Sequence, residues 1–148
     1  AYEGFATFKK SWQQYFGAFR EVYAGAPGMT RMGLRYINHL PIERDVENTI
    51  ISSTVRLPKL SDLPTRNCLF VTEKAVEQGL LRVVINTTEE GLQINQAVLD
   101  FDFYFQAKGS SPIPFEELDQ RLETAHTVTK NFFNDLVDEG YRKGVGLP

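Results

Sequence analysis

Arg31 and Arg35 on one side, and Asp100 and Asp102 on the other, are the side chains whose types and spacing best suit chemistry. Each pair has an even separation, and on an extended strand an even separation sends both members to the same face. On neighbouring strands, guanidinium and carboxylate would meet in planar, two-pronged hydrogen bonds. Such a set has three uses. One is a cross-strand salt-bridge ladder that serves the sheet. Another is an anion- or carboxylate-recognition patch in which the arginines stay free, with Asn38 and His39 beside them at the end of the same segment. The third is an enzyme built on Arg35, His39 and an Asp100/Asp102 acid–base pair. That use needs a desolvated carboxyl with a shifted pKa, and nothing in the chain marks either aspartate as one. We take the ladder as the leading expectation.

Other reactive side chains are sparse. The only histidines are His39 and His126, and their placement has no metal-ligand spacing. The single cysteine, Cys68, lies in an apolar run and reads as a buried, inert thiol. Gly109-Ser110-Ser111 reads as a linker rather than a nucleophile. The chain holds no phosphate-binding glycine loop, dinucleotide fingerprint, HExxH, paired CxxC or GxSxG. We therefore expect no cofactor and no metal, and lean away from an enzyme.

The elements that would position these residues follow from periodicity. From about Tyr2 to Tyr23, Phe5, Phe8, Trp12, Tyr15, Phe16, Phe19, Val22 and Tyr23 recur at spacings of three and four, which predicts an amphipathic helix. Gly25, Pro27 and Gly28 stop it. A strand is expected from about Thr30 to Asn38, with Met32, Leu34 and Tyr36 on one face and Arg31, Gly33, Arg35 and Ile37 on the other. Pro41 should end it or sit at an edge.

Residues 42–66 are irregular, with Asp45 suited to cap a short helix. Three strands follow, at about Asn67 to Val76, Leu80 to Thr87 and Leu92 to Phe105. Glu89-Glu90-Gly91 reads as the hairpin turn joining the last two. In the last strand the apolar parity switches from even (Leu92, Ile94, Val98) to odd (Leu99, Phe101, Phe103, Phe105). One flat strand cannot aim both sets at one core, so we expect a bulge near Asn95–Val98, or else coverage of both faces.

A final helix should start after Pro112, burying Phe115, Leu118, Leu122, Ala125, Thr129, Phe132, Phe133, Leu136 and Val137, with a tail that frays past Tyr141. The order predicts an α+β fold. An antiparallel β-sheet would carry long N- and C-terminal amphipathic helices on one face, in a single domain over 1–148. The sheet is the surface expected to cover both aromatic stripes.

Gly33-Leu34-Arg35-Tyr36-Ile37-Asn38 resembles the GLRYIN signature of a sporadically distributed family of bacterial and archaeal proteins with no settled biochemical function. Three weaker features fall in the same order. Tyr2-Glu3-Gly4-Phe5-Ala6-Thr7-Phe8 is similar to that family's tyrosine–glycine–aromatic helix start, and Leu99-Asp100-Phe101-Asp102 to its aspartate-bearing strand. The stretch from His126 to Phe133 is similar to its histidine-containing helix. Longer family members carry a region ahead of the point where this chain begins, so the resemblance implies the C-terminal part of a larger protein. It transfers no catalytic residue.

A formal net charge of -3 argues against nucleic acid, which is held by clustered Lys and Arg. No apolar run approaches the length of a membrane helix and no secretory leader is visible, so a cytoplasmic location and no membrane partner are expected. With 42% hydrophobic residues, eleven Phe and six Tyr, the chain can fill a core. The expectation is a non-enzymatic binding or protein-interaction domain. Its partner would be the N-terminal region of the full-length protein or a second copy. The alternatives are a small-molecule module for an apolar or anionic ligand, and the enzyme named above.

Overall fold

The computed structural model describes residues 4–41, 69–90 and 93–145. Helix α1 (Phe5–Val22) leads to strand β1 (Arg31–Pro41). Strands β2 (Leu69–Val76), β3 (Gly79–Glu90) and β4 (Gln93–Gln106) form a meander. A 3-10 turn (Phe115–Glu117) then opens helix α2 (Leu118–Leu136), and a short helix α3 (Glu139–Gly144) follows. All pairings are antiparallel and the strand order is β1-β4-β3-β2, so the last strand in sequence lies at the centre of the sheet. This is the expected α+β architecture. Cys68, Asp45 and the turn glycine Gly91 fall outside the described residues.

Strand parity divides the sheet into two unlike faces. Met32 and Leu34 of β1, Leu81, Val83 and Ile85 of β3, and Leu99, Phe101 and Phe103 of β4 all point to the helix side and are buried. Each such side chain contributes roughly 1.5–3 kcal/mol of transfer free energy. Helix α2 closes this face with Leu118, Leu122, Ala125 and Leu136, which recur with helical spacing. The Phe101 ring meets Phe132 and Phe133 edge-on, at 5.6 and 6.3 Å between centroids, the geometry an aromatic quadrupole prefers.

The parity switch in the long strand has the cause the pattern suggests. Thr88 pairs with Gln96 and the next residue, Glu89, pairs with Ile94, so Asn95 is the extra residue of a bulge. Beyond it, the odd residues of β4 from Ala97 to Phe105 all face the core. Val98 is on the opposite face, opposite His39.

Helix α1 sits differently from the expectation that the sheet covers its stripe. None of its residues is buried. It runs antiparallel along the flank of α2. Phe5 stacks on His126 at 3.7 Å, Lys9 pairs with Glu123, and the indole N–H of Trp12 donates to Asp119 at 3.3 Å. Further along, Phe16 meets Phe115 edge-on at 5.5 Å. The reason is space: α2 already occupies the helix side of β1 and β4, leaving α1 only the outer flank of that helix.

Fraying is expected past Tyr141, and there the described residues continue as α3 to Gly144. Asp138 accepts a hydrogen bond from the Tyr141 backbone N–H at 2.8 Å, capping α3. The Tyr141 hydroxyl donates to the Pro41 carbonyl at 2.7 Å, which ties the tail to the end of β1.

Candidate functional site

The side of the sheet away from the helices carries the expected polar constellation. Because β1 and β4 are neighbours, Arg31, Arg35, Asp100 and Asp102 share this face. The Cα partner of Arg35 is Asp102, yet its guanidinium reaches diagonally to Asp100. Nε donates to Oδ1 at 2.8 Å and Nη2 to Oδ2 at 2.7 Å, a two-pronged pair. That hydrogen-bonded carboxylate raises the Arg35 pKa further above its ordinary value. Arg31 donates to Asp102 at 3.2 Å, and its guanidinium carbon lies 4.3 Å from the centroid of the Tyr104 ring. Both arginines are thus engaged, as the ladder requires.

The ladder extends through residues that the sequence reading did not single out. The Tyr104 hydroxyl donates to Glu73 of β2 at 2.9 Å, and this bond raises the phenol pKa. Arg82 of β3 stands between Asp102 and Glu73 in register, yet makes no hydrogen bond or ion pair among the described residues. Its nearest acids are taken, one by Arg31 and the other by Tyr104. Tyr104 was within reach of the sequence argument, since it continues the even parity of Asp100 and Asp102. Arg82 and Glu73 were not, because their place depends on strand order.

The remaining candidates divide between the faces. His39 stays on the open side, where Nδ1 lies 3.2 Å from the Gln96 side-chain oxygen. Asn38 is on the helix side and its amide donates to the Leu99 carbonyl at 3.4 Å, so it is not part of the patch. His126 is also on the helix side. Its Nδ1 lies 2.9 Å from the Tyr36 hydroxyl while Phe5 covers the ring. Burial, and then Lys130, push its pKa below the ordinary histidine value, with Glu123 opposing. The sheet therefore separates the two histidines.

No group of three or more His, Cys, Asp or Glu is placed to hold a metal ion among the described residues. Ser110 and Ser111 belong to a tight reversal, bridged from Lys108 to Ser111, in which Gly109 has φ of +60°. No helix among the described residues is long and apolar enough to cross a membrane.

Between the charged residues the open face is apolar. Ile37, Val84 and Val71 occupy one row across the sheet, interrupted only by Asp100, with Val98 and Leu69 in the row beside it. Ile37, Val71 and Leu69 are each more than half exposed. Underneath the sheet, by contrast, the space beneath α2 is filled, with Phe101 and Phe103 fully buried. An open cleft of about 480 Å³ lies elsewhere, between the end of α1, residues 24–27 and Phe115.

Compared with family models, with curated proteins and with solved structures, the chain has no match. The functional reading therefore rests on the geometry.

Proposed function

We propose that this chain is a non-enzymatic protein-interaction domain whose open sheet face receives a partner polypeptide. One observation carries it. The β-branched side chains Ile37, Val84 and Val71 lie in one row broken only by Asp100, and Ile37 and Val71 are more than half exposed on the face that no described helix covers. Beside it, Asp100 and Asp102 are tied in ion pairs to Arg35 and Arg31. Exposed apolar rows with a polar rim mark interaction sites. Arg82, which makes no hydrogen bond or ion pair among the described residues, supplies a donor for a partner's carboxylate.

On this reading, and on the GLRYIN resemblance, the chain is the C-terminal part of a larger cytoplasmic protein. The sheet face packs against the region that precedes it there, or against a second copy. The experiment uses an apolar fluorescent dye on the wild type and on an Ile37→Lys/Val71→Lys double variant. Both sites are exposed, so the fold should keep its circular dichroism. Dye fluorescence should fall by at least half in the variant. Equal dye binding by the two proteins would refute an apolar docking face at this position.

A further inference from the structure

We propose that α1 is a second docking surface, and that its occupant is α1 of another copy of this chain, packed antiparallel. The sheet face plays no part in this pairing.

The apolar arc of α1 is wider than the strip that α2 covers. Phe5, Trp12 and Phe16 turn toward α2 and the core, while the other edge of the arc projects into solvent. There Phe8 is 39% exposed, Tyr15 72%, Phe19 38% and Val22 76%. Among the described residues, five of the nine large apolar side chains that are exposed lie between Phe8 and Tyr23, more than on the sheet face.

The spacing of this edge fits a helix as partner. Phe8, Tyr15 and Val22 recur every seven residues, with the small, exposed Ser11 and Ala18 between them. That is the a/d pattern of a two-helix seam, large at one position and small at the other. An antiparallel arrangement sets Tyr15 beside Ala18 of the other copy, and Val22 beside Ser11. Each of these layers joins one large and one small side chain, and Phe8 falls opposite Gly25, just past the end of the partner helix. A parallel arrangement would instead stack Tyr15 on Tyr15 and leave a gap at Ser11.

Charge and area agree with a second copy. The seam holds no charged residue, so self-pairing buries none. With roughly 200 Å² for each aromatic side chain, the exposed edge offers about 500 Å² per copy. A pair buries about 1,000 Å², the lower limit for a specific interface and the mark of a weak, reversible dimer.

The test is disulfide trapping in a Cys68→Ser background. Two single variants, Ser11→Cys and Val22→Cys, are oxidised separately and as a mixture at roughly 200 µM, a concentration suited to a weak dimer. In the antiparallel pair, like positions lie about 16 Å apart along the helices, beyond the reach of a disulfide. The mixture should cross-link and neither variant alone should. Cross-linking of each variant with itself would establish a parallel pair and overturn the proposal, as would no cross-link in any tube. Sedimentation gives a second readout. Tyr15→Glu should raise the dimer dissociation constant at least tenfold and Ile37→Lys should leave it unchanged. The reverse pattern would assign association to the sheet face instead.

Discussion

At the scale of single residues, the side chains that look most chemical are the ones most committed to structure. Arg35 is gripped at two points by Asp100, and Arg31 is shared between Asp102 and the Tyr104 ring. A pair that serves the sheet should show coupling. Arg35→Ala and Asp100→Ala should each lower the urea midpoint, and the double variant should lose less than the two losses added. Strict additivity would remove the ladder role. His126 makes a separate prediction. Its folded pKa is depressed by burial first and by Lys130 second. The unfolded chain therefore binds more protons below the ordinary histidine value, and stability falls as pH drops through about 6.5. Between pH 7 and 5 the urea midpoint should fall, and by less in His126→Asn than in the wild type. An equal fall in both would assign the effect to carboxylates alone.

At the scale of elements, most of the fold was legible because period two and period 3.6 leave different marks. The parity switch between Val98 and Leu99 located a bulge that the structure places at Asn95. What covers each helix was not legible. The stripes of α1 and α2 look alike in sequence, and only the assembled sheet shows that α2 takes the central position and leaves α1 on its flank. The candidate site was half legible for the same reason. Parity put Arg31, Arg35, Asp100 and Asp102 on matching faces, but strand order was needed to bring in Arg82 and Glu73. It also showed that Asn38 belongs to the other side. Gly79 illustrates a constraint invisible before packing. It begins β3, and a Cβ there would come within 2.5 Å of the Phe103 ring and 2.9 Å of the Tyr104 carbonyl. Gly79→Ala should cost about 1–3 kcal/mol by overpacking, read as a lower melting temperature with native circular dichroism. An unchanged melting temperature would mean that the Phe103 ring has room to move.

At the scale of the molecule, the described residues seal one face of the sheet and leave the other open. The sealed side holds the aromatic core beneath α2, with α1 laid along the outer flank. The open side alternates charged residues, two arginine–aspartate pairs among them, with valine and isoleucine. Its location can be mapped by titrating the ¹⁵N-labelled chain with an apolar probe and following amide shifts. We predict that Ile37, Val71, Val84 and Val98 move together and identify the open face as the docking surface. Shifts confined to Arg20, Phe115 and the residues around that cleft, with β1 and β2 silent, would contradict it.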